Sequence, residues 1–311
     1  MAFLEFKDMR IAGFSAGVPK YIAVNDTVAS KDYAAADFVA TTGVKERRIG
    51  DFTTSDLCYE AAERLLSDLQ WRKEEVGALI FVSQTADYIL PATACILQDR
   101  LGLSKECYAL DVALGCSGWV YGLSVIAGLL SKEGITKALL LAGDAKKRAQ
   151  DASDPLFGHA GTVTAVEYSE GAAGFKFHVG TDGSGFDAII TPDGGSRNQF
   201  TEDSLKLIQD SDGVTRHRLQ TVMKGMDVFA FGITTVPKTV KKLLEKHQIS
   251  IDSIDYFVFH QANKMMNEKI RKKLKLSEEK VPYCMHEFGN TSSASIPLTI
   301  VTQIANDALG S

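Results

Sequence analysis

One order of elements occurs twice in this chain, and that repetition limits its fold more than any single motif. Residues 77–118 read as an apolar strand (GALIFVSQTA), a helix, the turn Leu101-Gly102-Leu103-Ser104, a second strand and then Gly115-Cys116-Ser117. Residues 254–293 follow the same order: a strand (IDYFVFHQAN), a helix, Leu274-Lys275-Leu276-Ser277, an extended segment and Gly289-Asn290-Thr291. Ser83 and Cys116 lie 33 positions apart (116 − 83), and His260 and Asn290 lie 30 apart (290 − 260). Two α/β units of one topology, related by a pseudo-twofold axis, would bring their equivalent strand ends to a common centre. Cys116, His260 and Asn290 would then meet. The alternative is two α/β units that share an order by chance.

The rest of the chain supports an α/β class. Aliphatic runs at Ala78–Val82, Tyr108–Val112, Ala138–Ala142 and Tyr256–Phe259 read as strands. Helical spacing of apolar residues fits Ser55–Leu69, Ala92–Leu101, Ser117–Leu130, Thr234–His247 and Lys264–Leu274. The glycine-rich Thr181–Gly185 and Pro192–Gly195 read as turns, because neither has the GxGxxG or GxxxxGK spacing of a phosphate cradle. A length of 311 residues, with 45% apolar and 23% charged, suits a soluble chain of two similar halves, here divided as 1–175 and 176–311.

Several function classes are excluded on composition. The net charge of −5 argues against general nucleic-acid binding, which needs a concentrated basic surface. The longest apolar stretch, Gly118 to Leu130, has 13 residues, whereas a membrane span needs about 20. The opening MAFLEFKDMRIAG is interrupted by charges where a signal peptide would be apolar, so a cytoplasmic location is expected. The five cysteines (Cys58, Cys95, Cys107, Cys116, Cys284) are odd in number and contain no CxxC pair. That usage argues against a disulfide framework or a zinc site and favours a lone reactive thiol.

Cys116 is the candidate, because it falls between a predicted strand and the helix starting near Ser117. A helix amino terminus offers unpaired N–H groups and the positive end of the macrodipole, which favour a thiolate. Packing is the competing role for such a cysteine. His260 ends an apolar strand and Asn290 lies in a loop ahead of a helix, both positions where site residues are displayed. A hydrogen-bonded structural histidine and a turn or cap asparagine are the competing readings there. His159, His178, His217, His247 and His286 have weaker contexts, and no pair has metal-ligand spacing. A papain-like hydrolase shares the Cys, His, Asn order, and His260 follows Cys116 by 144 positions (260 − 116). That family, however, has CGSCW near its mature amino terminus, unlike LGCSGWV beginning at Leu114.

Three motifs carry a family resemblance: Asp111–Trp119 (DVALGCSGW), His260–Asn263 (HQAN) and Gly289–Pro297 (GNTSSASIP). Together with Thr42–Ile49, Pro91–Leu103 and Gly180–Asp187, they make the chain similar to 3-oxoacyl-[acyl-carrier-protein] synthase III, of the thiolase superfamily. The resemblance implies a duplicated, five-layered αβαβα fold, a homodimer, and no metal or redox cofactor. It implies that Cys116 takes an acyl group from a thioester and that His260 and Asn290 serve the enolate formed from malonyl-acyl-carrier-protein. Leu90, Phe157, Phe229 and Ala262 match positions that line the acyl pocket, Leu90 by reaching across the dimer.

The stretch Lys238–Lys275 has ten basic and four acidic residues, a local charge of +6 that leaves −11 for the remainder (−5 − 6). It suits docking of an acidic carrier protein, with Lys264, Lys269, Arg271 and Lys272 the expected contacts; the alternative is a solvated helix face. Departures from the family pattern lie where members that use acetyl-coenzyme A hold its adenine. A tryptophan there is Asp37, two arginines are Thr41 and Met265, and the arginine-bearing segment shortens to Asp154-Pro155-Leu156-Phe157-Gly158. The resemblance implies fatty-acid initiation or a specialised pathway such as surface glycan or secondary-metabolite assembly, and these changes point to an acyl-carrier-protein donor and the specialised pathway. His159 replaces an aspartate of the family pattern. The family closes with two strands bearing GFGxGxxWG, whereas this sequence reads Ala308-Leu309-Gly310-Ser311 soon after the helix that follows Asn290. A catalytically silent, carrier-binding partner subunit is therefore a second reading.

Overall fold

Ala78–Val82 is buried at all five positions, which requires protein on both faces of that strand. The computed structural model describes residues 2–25, 35–145, 154–209 and 213–305. Its elements begin with β1 (Ala2–Phe6), β2 (Met9–Gly17), β3 (Tyr21–Val24), α1 (Ala35–Thr42), β4 (Glu46–Ile49) and α2 (Thr54–Asp68). There follow β5 (Ala78–Val82), α3 (Thr93–Arg100), β6 (Tyr108–Val112), α4 (Gly118–Leu129), β7 (Lys137–Asp144), β8 (Ala160–Tyr168) and β9 (Phe175–Val179). Beyond four two-residue strands come α5 (Gly225–His247), α6 (Lys264–Leu274), α7 (Met285–Phe288) and α8 (Ser295–Thr299).

Five strands form a mixed sheet in the order β2-β8-β7-β5-β6, with β5 parallel to both β6 and β7. The two-residue period of a strand divides β5 between two cores. Leu79 and Phe81 pack with α2 and α3 residues such as Ala61, Leu65 and Leu97. Ala78, Ile80 and Val82 pack with Trp119, Leu123 and Ile126 of α4. Beyond α4 lies the antiparallel pair β1–β9, whose Leu4, Phe6 and Phe177 join that second core. His178 of β9 then meets α5, its Nδ1 lying 3.2 Å from the Thr239 carbonyl. The layers thus run helices, sheet, helix, strand pair, helices, which is the thiolase-like αβαβα arrangement expected above.

Two expectations change. Tyr256–Phe259 is extended but forms no strand among the described residues. Its Phe257 is buried with Ile270 and Leu274 of α6, and the Phe257 N–H donates to the Lys280 carbonyl at 2.8 Å. An apolar pattern supplies burial, but a strand also needs a neighbouring backbone for its ladder. Helix α5 starts nine residues before the expected Thr234 (234 − 225) and includes Gly225, Gly232 and Pro237. Gly232 lowers helix propensity but permits close contact, since a Cβ there would lie 2.6 Å from Met266 Sδ of α6. Among the described residues no helix is long and apolar enough to cross a membrane.

Helix α4 sits close to the sheet because Gly118 and Gly122 present no side chain to it. A Cβ on Gly122 would lie 2.5 Å from Leu140 Cδ1 and 2.8 Å from Val82 Cγ2. Gly122→Val is therefore expected to destabilise the protein by about 2 kcal/mol through overpacking, measured by denaturant unfolding. An unchanged unfolding midpoint would show that α4 can lift from the sheet at no cost.

Candidate active site

The carboxyl end of β6 delivers Cys116. Asp111, near that end, accepts hydrogen bonds from the N–H groups of Thr93 and Ala94 (both 2.7 Å), which ties β6 to the start of α3. Ala113-Leu114-Gly115 then carry the chain to Cys116, just ahead of α4, where the Gly118 N–H donates to the Gly115 carbonyl at 2.7 Å. A Cβ on Gly115 would meet Gln84 Oε1 and come within 3.3 Å of the Ser292 hydroxyl, so any larger residue there would have to displace the Gln84 side chain. Cys116 keeps an accessible surface while protein crowds its thiol from one side.

His260 comes from the extended segment before α6. Its carbonyl accepts from Asn267 Nδ2 (3.0 Å), and its ring Nδ1 lies 2.8 Å from the Ser295 hydroxyl, leaving Nε2 toward Cys116. The rest of HQAN is scaffold. Gln261 is fully buried, its Nε2 donating to the Phe259 carbonyl and its Oε1 accepting from the Cys284 N–H. Asn263 caps α6 by accepting from the Met266 N–H at 2.8 Å.

Asn290 arrives on a buried loop. Gly289 before it adopts φ +67°, and a Cβ there would lie 2.7 Å from the Leu156 carbonyl oxygen. The Asn290 N–H donates to that carbonyl (2.9 Å), and its own carbonyl accepts from the Gly158 N–H (3.1 Å), so a one-residue bridge to Phe157 holds the loop. Its Oδ1 accepts from the Ser292 N–H at 2.9 Å, which leaves Nδ2 as the side chain's donor group. Ser293 Oγ donates to the Val82 carbonyl (3.3 Å), seating the loop on the end of β5.

Electrostatics separate Cys116 from the structural cysteines. Burial raises the Cys58 thiol strongly, Cys107 to about 11 and Cys284 to about 12. Desolvation acts in the same sense on Cys116, but the charge of His260 and its hydrogen bond to the thiol outweigh it, and the net shift is downward. His260 moves upward: desolvation lowers it, whereas the Cys116 charge, their hydrogen bond and the Ser292 backbone raise it more. The two shifts run toward each other, each group favouring the charged form of its neighbour. Asp144, at the end of β7, is raised by desolvation, against which hydrogen bonds from Ser292, Gln84, Ser83 and Thr85 act.

The other expected residues separate into groups. Phe157 flanks Asn290, Ala262 follows His260 by two positions and donates its N–H to the His260 carbonyl (3.0 Å), and Phe229 joins Ala262 in one apolar cluster. Leu90 is 83% exposed on the apolar tip Tyr88-Ile89-Leu90. Lys264, Lys269 and Lys272 are exposed along α6. Arg271 is not available for docking: it is buried, bonded to Glu268 and Glu278, and its Nη1 donates to the Leu276 carbonyl at 2.8 Å. Asp37, Thr41 and Met265 share one surface, since Gly43 after α1 abuts Lys264, where a Cβ would meet Lys264 Cβ at 2.8 Å. His159 lies beside β4, with Nδ1 accepting from the Gly50 N–H (3.4 Å). Ala308–Ser311 fall outside the described residues.

Ser295, Ser292, Gln261 and Asp144 were missed in the sequence reading. The run Asn290-Thr291-Ser292-Ser293-Ala294-Ser295 is at most 8% exposed throughout. A polar stretch so short and so rich in serine and threonine reads as a surface loop unless its partners are known.

Removing the imidazolium is expected to raise the Cys116 pKa. His260→Ala should move the midpoint of Cys116 alkylation by iodoacetamide upward by about one pH unit, slowing alkylation about tenfold at neutral pH. A midpoint that stays in place would assign the low pKa to the helix terminus alone.

Comparison with known proteins followed from this geometry. Residues 110–183 match the family model for 3-oxoacyl-[acyl-carrier-protein] synthase III, and residues 244–311 match the model for its C-terminal part. A putative 3-oxoacyl-[acyl-carrier-protein] synthase 3 of Campylobacter jejuni is 32% identical over 309 residues, covering 94% of this chain and 86% of the relative. A beta-ketoacyl-[acyl-carrier-protein] synthase III of Streptococcus gordonii is 32% identical over 285 residues, covering 91% and 85%. A crystal structure of a 3-oxoacyl-(acyl-carrier-protein) synthase from Burkholderia xenovorans superposes with a TM-score of 0.88 at 38% identity, covering 98% of this chain and 88% of that one. The chain accordingly belongs to the 3-oxoacyl-[acyl-carrier-protein] synthase III family.

Proposed function

We propose that this acyltransferase carries out its family's decarboxylative Claisen condensation on Cys116, with His260 and Asn290 as the enolate's hydrogen-bond donors. The observation that carries the reading is the mutual interaction of Cys116, just ahead of α4, with His260, which lowers the thiol and raises the imidazole, together with an Asn290 whose Oδ1 is held by the Ser292 N–H and whose Nδ2 is left as a donor. The Cys116 thiolate attacks the carbonyl of an acyl thioester, a carbon–sulfur bond forms, and the donor's carbon–sulfur bond breaks as its thiol leaves with a proton. One thioester replaces another, so little free energy is lost. The Cys116 N–H is the expected donor to the tetrahedral oxyanion.

The imidazolium gives its Nε2 proton to the departing thiolate, which leaves His260 neutral; release of the Nδ1 proton to solvent through the Ser295 hydroxyl and uptake of one at Nε2 give the Nε2–H tautomer that the enolate needs. The Ser295 hydroxyl suits both states, accepting from Nδ1–H of the imidazolium and donating to Nδ1 of the neutral ring. Malonyl-acyl-carrier-protein then loses CO₂, and the bonding pair moves into an enolate whose oxygen is met by Nε2–H and Nδ2–H. The enolate carbon attacks the acyl carbonyl, a carbon–carbon bond forms, and the carbon–sulfur bond to Cys116 breaks to release a 3-oxoacyl product. A neutral amide suits this position, because a carboxylate would repel both the malonyl group and the enolate. The steps as proposed use only the Cys116, His260 and Asn290 side chains and the Cys116 backbone N–H.

The partner reading is an acidic acyl-carrier protein on the lysines of α6, Lys264, Lys269 and Lys272. A homodimer would cover the exposed tip Tyr88-Ile89-Leu90 and bring Leu90 to the other subunit's acyl pocket, with Phe157, Phe229 and Ala262 lining the remainder. Residues 1–175 and 176–311 are the proposed halves; the five-stranded sheet lies wholly within residues 9–168. Asp37, Thr41 and Met265 leave the surface between α1 and α6 without the family's adenine clamp, which supports acyl-carrier-protein as donor and a specialised pathway.

Incubation with acetyl-acyl-carrier-protein should add one acetyl increment to the intact mass, faster than acetyl-coenzyme A does, and Cys116→Ala should take up none. Faster loading from the coenzyme would overturn the donor assignment, and loading from neither would favour the silent partner subunit. Reversing charge at Lys264, Lys269 and Lys272 together should raise KM for carrier-bound malonate about tenfold or more with kcat little changed. Equal KM values would remove α6 as the docking face.

A further inference from the structure

His260 is held by its backbone and by one ring nitrogen. Its carbonyl accepts from Asn267 Nδ2 and from the Ala262 N–H, both at 3.0 Å, and its ring Nδ1 lies 2.8 Å from Ser295 Oγ. Among the described residues that ring is the hydroxyl's one hydrogen-bond partner. A circuit of buried bonds fixes where the hydroxyl sits. Gln261, next to His260, donates from Nε2 to the Phe259 carbonyl (2.8 Å) and accepts at Oε1 from the Cys284 N–H (3.1 Å). Thr299 Oγ1 donates to the Ser295 carbonyl (2.7 Å) and lies 3.0 Å from Cys284 Sγ. A hydroxyl has one hydrogen, so the Cys284 thiol is the donor to Thr299. Gln261, Cys284, Ser295 and Thr299 are fully buried, so water cannot replace these partners.

We propose that Ser295 is a positioning residue for condensation, its hydroxyl turning from acceptor to donor at His260 Nδ1 so that the neutral ring carries its proton on Nε2, facing the enolate. It acts through His260 rather than on the substrate. The proposal rests on the reaction assigned above, in which acylation transfers the Nε2 proton of the imidazolium and leaves the ring protonated on Nδ1. Condensation needs the opposite tautomer. A hydroxyl serves both, accepting from Nδ1–H and then donating to the bare nitrogen, whereas a carbonyl in its place would retain Nδ1–H and a methyl group would hold neither form. Acylation depends on Ser295 less than condensation does, because the imidazolium charge acts on the thiolate over several ångströms. A hydrogen bond to the enolate oxygen weakens steeply with angle.

The test compares Ser295→Ala, Ser295→Cys and Thr299→Val with the unaltered enzyme. Single-turnover acylation is read by intact mass, and condensation is read by release of CO₂ from malonyl-acyl-carrier-protein together with 3-oxoacyl product. Ser295→Ala should slow condensation about 10- to 100-fold, the cost of a small misplacement of a reacting group, and acylation less than about threefold. Ser295→Cys, which keeps a weak donor and acceptor, should recover part of the loss. Thr299→Val removes the bond to the Ser295 carbonyl but leaves the Ser295 hydroxyl, so it should lower the denaturant midpoint while the two rates keep their ratio. NMR of isotope-labelled histidine ring nitrogens, in a Cys116→Ala background at a pH where the ring is neutral, should show the proton on Nε2 and a hydrogen-bonded Nδ1. Adding Ser295→Ala should shift the Nδ1 signal or bring the proton to it. An unchanged Nδ1 signal, or equal slowing of both steps, would overturn the proposal. Failure of the unaltered enzyme to condense would count against the assigned reaction, whereas the nitrogen spectrum decides the Ser295 bond independently.

Discussion

The site depends on one buried polar segment, Asn290–Ser295, wedged against the ends of β5 and β7. Buried hydroxyls and amides are costly unless hydrogen-bonded, at roughly 1–3 kcal/mol for each group left unsatisfied. That penalty explains the density of contacts here. Ser293 reaches the Val82 carbonyl, Ser295 the His260 ring, Asn290 the Leu156 and Gly158 backbone, and Ser292 the Asn290 side chain. Each bond that satisfies the segment also fixes a group the chemistry uses. The polar packing of this segment and the geometry proposed to serve the enolate are therefore one set of interactions.

The thiolate depends on the same arrangement. Desolvation alone would leave Cys116 as inert as Cys58 and Cys284, which lie buried among apolar and hydroxyl groups. Helix α4 supplies a favourable terminus, but the decisive partner is His260, held from its far side by Ser295. The nearby Asp144 charge opposes the thiolate, so the site balances one favourable and one unfavourable neighbour. A general thioester exchange needs a nucleophile that is ionised yet a good leaving group, and a thiol tuned by one imidazole meets both needs.

The central sheet was legible in sequence because its determinants are local and strong. The run ALIFV could satisfy burial on both faces only as an interior strand, and Tyr108–Val112 and Lys264–Leu274 form where the apolar period puts them. Cys116, His260 and Asn290 were singled out because their motifs resemble a family, although the repeated order that also pointed to them lacks its second strand at Tyr256–Phe259 among the described residues. Tyr256–Phe259 misled because an apolar alternation reports burial, whereas strand identity depends on a neighbour elsewhere in the chain. The start of α5 misled in the opposite sense: Gly232 looks like a helix breaker, but the close approach of Met266 makes it the residue that fits. Arg271 looked like one more docking cation until its own burial and its ion pairs with Glu268 and Glu278 appeared.

The sequence by itself determined the alternation of strands and helices, the lone thiol at a helix start, the family, and the residue types that can meet a thioester and an enolate. These follow from properties carried by each segment: hydrophobic period, glycine placement, and the nucleophilic or hydrogen-bonding character of a side chain. Only the tertiary structure decided which residues hold those groups in place. Ser293 and Ser295 act through bonds between distant segments, Ser293 with the Val82 carbonyl 211 positions away and Ser295 with the His260 ring on the segment before α6. No local pattern encodes such a pairing, because its energy arises only when both partners are buried against each other.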